Sequence, residues 1–102
     1  MARTTKKILG HCAVDSGQLI VVDPCYLGEW KDGNFNPNEK ADNHYAKACN
    51  ITLGKNGGGE MIVAGVAGSG VVLSTAYGDG LYPVIATYNS EGRIISITIK
   101  MD

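Results

Sequence analysis

Tyr82-Pro83-Val84-Ile85-Ala86-Thr87-Tyr88, then Asn89-Ser90-Glu91-Gly92, then Arg93-Ile94-Ile95-Ser96-Ile97-Thr98-Ile99-Lys100-Met101: two runs rich in β-branched and aromatic residues flank four turn-forming ones. Branched and aromatic side chains suit a pleated, half-buried surface, whereas Asn and Gly accept the backbone angles that reverse a chain. The stretch therefore predicts a hairpin of two strands, 82–88 and 93–101. In the second run Ile95, Ile97, Ile99 and Met101 alternate with Ser96, Thr98 and Lys100. A period of two predicts one buried face and one wet face, the signature of an antiparallel sheet.

The rest of the chain extends the same class. Met61–Val66 and Gly70–Ser74 read as two more strands around Ala67-Gly68-Ser69. Lys7–Val14 predicts a first strand, closed by Asp15-Ser16-Gly17. Leu19-Ile20-Val21-Val22 is a short continuous apolar run, expected to be buried on both faces and to form a hairpin with the first strand. Asp23-Pro24 ends it, because proline lacks the N–H a ladder needs and biases its predecessor toward extended geometry. From Gly28 to Asn43 the chain turns polar, with Trp30 and Phe35 as anchors, which predicts a long loop. Asn43 is placed to cap a helix over 44–50 with Tyr45, Ala48 and Cys49 on one face. Gly54–Gly59 reads as a flexible connection. The expectation is a single mainly-β domain spanning 1–102: a small antiparallel β-sandwich or open barrel of about six strands with one short helix.

Composition bounds the function. The chain has 102 residues and a formal net charge of −1, which argues against DNA or another strongly anionic polymer as partner. Arg3, Lys6 and Lys7 form a small basic cluster that reads as a solvated end. Cys12, Cys25 and Cys49 are odd in number and irregularly spaced, unlike a secreted disulfide framework. No signal-like or membrane-spanning run is present, so Asn50-Ile51-Thr52 is not read as a glycosylation site, and a cytoplasmic location is expected.

Two motifs carry chemistry. Asp23-Pro24-Cys25-Tyr26 gathers a carboxylate, a thiol and a phenol at a strand end, either to touch a ligand or to hold a turn with its side chains packed below. A cysteine nucleophile would need a base, and His11 and His44 are the two histidines available. No paired ligand spacing for a metal occurs, and no cofactor is expected. The glycine-rich Gly54–Gly59 lacks the lysine-hydroxyl ending of a phosphate loop. The second motif, Ser74-Thr75-Ala76-Tyr77-Gly78-Asp79-Gly80-Leu81-Tyr82-Pro83-Val84, compresses hydroxyls, an aspartate and two tyrosines between strands. It reads either as a structural corner or as the floor of a site for a polar, ring-bearing ligand. The candidate ligand-binding residues are Asp23, Cys25, Tyr26, Ser74, Thr75, Tyr77, Asp79 and Tyr82, with none assigned to catalysis or metal binding.

Taken in order, Asp23-Pro24-Cys25-Tyr26, Trp30, His44-Tyr45 through Cys49, Gly70–Thr75, Gly78–Val84 and Gly92-Arg93-Ile94 resemble a set of short phage-encoded proteins. These are similar in turn to a bacterial domain-of-unknown-function family with the same Gly-Asp-Gly and Tyr-Pro-Val pattern. The resemblance covers most of the chain from Leu19 onward. It implies a small β-rich fold and brings no catalytic residues with it. A phage origin implies action by binding in the host cytoplasm, for instance sequestering a nucleotide-derived messenger of antiphage immunity, with pockets where subunits of a homo-oligomer meet. Two other readings stay open: a module that blocks a host protein through a strand edge or the Trp30–Phe35 loop, and a small hydrolase using Asp23, Cys25 and Asp79.

Overall fold

A computed structural model describes residues 3–102. The chain is mainly β, with six strands in two antiparallel three-stranded sheets and one short α-helix. Neither sheet closes into a barrel. The strands are β1 (Thr5–Val14), β2 (Gln18–Val22), β3 (Gly58–Met61), β4 (Gly70–Ser74), β5 (Gly80–Tyr88) and β6 (Ile94–Ile99), and the helix is α1 (His44–Thr52). The chain divides into two compact units, one of residues 1–17 with 75–102, the other of residues 18–74.

The first unit is the sheet β1-β5-β6. The β5–β6 hairpin forms as its sequence pattern predicts, its turn fastened by Asn89, whose N–H donates to the Arg93 carbonyl and whose side chain accepts from the Glu91 and Arg93 amides. The burial of β6 differs from expectation. Ile95 and Ile97 are about half exposed and Ile99 and Met101 are only partly covered. β6 is an edge strand, and a bulge at Ile95 between the pairs Tyr88–Ile94 and Thr87–Ser96 interrupts the alternation. Val14, Tyr82 and Ala86 are the buried apolar side chains of this unit.

The second unit is the sheet β2-β4-β3 with α1 packed on β3 and β4. Val72 of the central strand is 2% exposed and clusters with Ala48, Met61 and Val63, against which Ile20, Val22, Tyr26, Trp30 and Ile51 pack. β1 and β2 do not form the expected hairpin. β1 pairs along its length with β5, and β2 pairs with β4. Asp15-Ser16-Gly17 turns the chain, but the ladder partners are supplied from far along the sequence. Nor is β2 buried on both faces: it is an edge strand, and Val21 points outward and is exposed.

β3 falls on Gly58–Met61 rather than 61–66. A glycine turn before it and a serine-held loop after it set its bounds. Gly57 at φ 70° closes the preceding turn, its N–H donating to the Gly54 carbonyl. Beyond Met61 the chain leaves the sheet, and the buried Ser69 hydroxyl accepts from the Val63 N–H at 2.7 Å, holding the 62–69 loop. Gly58, expected in a flexible connector, sits in the ladder opposite Leu73.

The helix starts where its cap predicts. The Asn43 side chain accepts from the Ala46 N–H at 2.8 Å, and α1 runs on to Thr52, with Ala46, Ala48 and Cys49 buried and Tyr45 half-buried. Asn43→Ala should cost about 1 kcal/mol, read as a lower melting midpoint of the Trp30 fluorescence. Trp30 is the chain's single tryptophan, so this signal reports the second unit.

Candidate functional site

The eight residues expected from sequence to contact a ligand divide between the two units. Asp23, Cys25, Tyr26 and Ser74 belong to the second, and Thr75, Tyr77, Asp79 and Tyr82 to the first.

Asp23 caps a 3₁₀ turn over Pro24–Glu29, its carboxylate accepting from the Cys25 N–H at 3.0 Å. That amide bond lowers the Asp23 carboxyl below its ordinary value. The cap is thus present when Asp23 is ionised and is lost as pH falls through the lowered value. The same carboxylate pushes the Cys25 thiol up, chiefly through a side-chain hydrogen bond, with desolvation and charge repulsion adding to it. A thiol held protonated is a poor nucleophile. Asp23→Asn should therefore speed alkylation of Cys25 by iodoacetamide severalfold at pH 8, measured by mass spectrometry of the Cys25 peptide. An unchanged rate would mean that Asp23 does not control the thiol. Tyr26 packs against the Val72 cluster, and the Ser74 hydroxyl donates to the Thr52 carbonyl at 3.1 Å.

The glycine–aspartate turn uses its polar groups internally. The Gly78 carbonyl accepts from both the Thr75 hydroxyl, at 2.5 Å, and the Tyr82 hydroxyl, at 2.6 Å. Gly78 itself has φ 81°, a conformation in which side chains other than glycine's are strained. Thr75 and Tyr82 are both buried. These contacts build a corner. Tyr77 and Asp79 stand exposed on its outer side.

A feature that sequence reasoning missed lies wholly in the second unit. His44, Lys47, Asn50 and Ile51, spaced along one side of α1, face β3 and the 62–68 loop across a cavity of about 820 Å³. Met61 and Val63 give it an apolar floor that is part of the core, and Glu60 lines its rim at the edge strand β3. His44 is tightly placed. Its N–H donates to the Lys31 carbonyl at 2.8 Å, while its Nδ1 accepts from the Lys31 N–H at 2.6 Å. Its ring stacks on Trp30 with centroids 5.3 Å apart. With Nδ1 engaged as an acceptor, the remaining ring nitrogen, Nε2, is the one free to donate. Trp30, expected as an apolar anchor of the polar loop, is half-buried against the core and stacked on His44. The i, i+3, i+6, i+7 spacing of the α1 residues was visible in the sequence, but the opposite wall comes from residues that only the fold brings near.

Other reactive groups are occupied or isolated. The buried Cys49 sulfur accepts from Gln18 Nε2 at 3.4 Å. Among the described residues, no group of three or more His, Cys, Asp or Glu side chains is gathered so as to hold a metal ion, and no helix is long and apolar enough to cross a membrane.

A small protein of two antiparallel three-stranded sheets, with one helix roofing a mixed polar and apolar cavity, is the class the fold defines. The chain belongs to the family described as protein of unknown function DUF4241, whose model matches residues 9–99. No curated protein and no solved structure matches it.

Proposed function

We propose that this protein is a non-enzymatic binder of a small, anionic, ring-bearing ligand of the nucleotide class, held in the cavity between α1, β3 and the 62–68 loop. The observation that carries the reading is the make-up of that cavity: a lysine on the α1 wall above an apolar floor. Its volume is in the range of small-molecule sites. Lys47 and the His44 Nε2–H suit a phosphate, the Met61–Val63 floor and Ile51 suit the face of a base, and Asn50 suits an exocyclic amine or ribose hydroxyls. The state of the thiols supports binding over turnover. Asp23 disfavours the Cys25 thiolate, and Cys49 is buried and engaged.

In its most specific form the role is that of a phage-type protein that captures a nucleotide-derived messenger of host immunity in the host cytoplasm. Such a role needs affinity and no chemistry. The test is titration calorimetry of the intact protein against a panel of cyclic mono- and dinucleotides, ADP-ribose and cyclic ADP-ribose, with Trp30 fluorescence followed in parallel. Binding of at least one member with a change in Trp30 emission is expected, because the tryptophan lies directly behind His44. Failure of every member to bind overturns the reading. Binding that leaves Trp30 unchanged and survives loss of Lys47 would move the site elsewhere.

A further inference from the structure

One side of α1 presents a short row of polar groups to the cavity. His44, Lys47 and Asn50 follow at intervals of three residues, so neighbours in the row stand about 4.5 Å apart along the helix axis. Among the described residues that line the cavity, Lys47 is the one lysine or arginine. His44 adds a hydrogen bond but no charge. Its Nδ1 accepts from the Lys31 N–H at 2.6 Å and so carries no proton, which leaves a single ring N–H, at Nε2. The stack of this ring on Trp30, with centroids 5.3 Å apart, fixes where that donor sits. Glu60, at the rim, carries the opposite sign to Lys47. The row therefore offers one positive charge and one neutral donor, about a helical turn apart.

Taking the cavity as the nucleotide site proposed above, we infer that it selects a singly charged phosphodiester over a doubly charged phosphomonoester or a polyphosphate. A diester phosphate has two unesterified oxygens and one negative charge, which the Lys47 ammonium and the His44 Nε2–H match in number and in charge. A terminal phosphate has three such oxygens and carries close to two charges at about pH 8. Its attraction to one ammonium grows in proportion to its charge, whereas the cost of stripping its water grows as the square. Over an apolar floor of Met61 and Val63, one lysine does not offset that cost, and Glu60 at the rim repels the second charge. The third oxygen adds a loss of its own, since an acceptor held away from water without a donor is destabilising. Asn50 lies about 9 Å from His44 along the axis, the reach of the sugar or base rather than of the same phosphate.

A nucleoside 5′-monophosphate and its methyl ester make the deciding pair, because they share the whole nucleoside and differ by one charge. Both, with the 3′,5′-cyclic monophosphate, are titrated calorimetrically into the full chain at about pH 8, for each common base. For the base that binds best, the two diesters should bind at least about tenfold tighter than the monoester. Asn50→Lys adds a second ammonium to the row and should raise the monoester's affinity relative to its methyl ester by about tenfold or more. Glu60→Gln should narrow the gap by roughly twofold, the smaller effect of a charge at an open rim. The comparison on the unmodified chain needs no variant, and the melting of Trp30 fluorescence checks that Asn50→Lys is folded. A monoester that binds as tightly as its methyl ester, or a preference unchanged in folded Asn50→Lys, overturns the charge selection and leaves the nucleotide reading standing. Failure of every nucleotide to bind, diester or monoester, overturns both.

Discussion

Lys47→Glu should weaken binding of an anionic nucleotide by about a hundredfold while leaving the melting midpoint within about 1 °C. Lys47 is exposed on α1 and lines the cavity with His44 and Glu60. Its ammonium is the cavity's fixed positive charge, and hydrogen bonds to a charged group are worth about 1.5–3 kcal/mol. Reversing the charge removes that contribution and sets a carboxylate against the phosphate, so a loss near 3 kcal/mol, or more than a hundredfold in Kd, is expected. Stability should hold, because Lys47 makes no ion pair among the described residues and surface substitutions away from caps and core typically stay within about 0.5 kcal/mol. The measurements are calorimetric titration of both proteins with the tightest ligand of the panel, and their thermal unfolding. Equal affinities would remove Lys47, and with it the α1 cavity, from the binding reading. A matched fall in stability would mean that the side chain has a structural role instead.

Gly58→Ala should destabilise the second unit by about 2–3 kcal/mol, the cost of forcing atoms into an already filled space. A Cβ on Gly58 would lie 2.6 Å from the Val72 carbonyl oxygen and 3.0 Å from the Leu73 Cα, both backbone atoms of the neighbouring strand. A flexible side chain can swing aside, but a ladder cannot move without giving up its hydrogen bonds. β3 has four residues, so a displacement at its first one disturbs most of its pairing with β4. For a unit of this size the midpoint of the Trp30 transition should fall by roughly 10 °C or more. Gly28→Ala is the matched control in the same unit: its Cβ would meet nothing within 4 Å, and its φ is not in the left-handed region. That variant should unfold close to wild type. If Gly58→Ala does likewise, β3 does not hold the position described.

These outcomes show which parts of the molecule local chemistry writes down. The β5–β6 hairpin was readable because its turn residues and strand period lie within one stretch of chain, and α1 because Asn43 and its acceptor geometry are local too. The partner of β1 was not. Asp15-Ser16-Gly17 reports a reversal but not what is paired after it, and β1 finds β5 across the whole intervening segment. β3 was displaced for a related reason. Gly58 and Gly59 look like a linker by composition, yet Gly58 is glycine because a strand passes too close for anything larger. The same limit governs the sites. Asp23 beside Cys25, and Thr75 and Tyr82 around Gly78, could be grouped in advance because they are neighbours in sequence. The wall facing α1 could not, since Glu60, Met61 and Val63 reach it only through the β3–β4 pairing.

The chain leaves the first unit after Gly17 and returns to it at Thr75, and the Thr75 N–H donates to the Gly17 carbonyl at 2.9 Å. The exit and the return are therefore adjacent, and the ladder bonds of β1 run to β5 alone. Residues 18–74 are connected to the rest as an insertion is, through two strands of chain pinned side by side. Such a layout lets the inserted piece open and reclose as its own cooperative step without unzipping β1 from β5. It also makes Gly17 and Thr75 a natural seam, where a lineage could exchange one insert for another and keep the β1–β5 pairing intact.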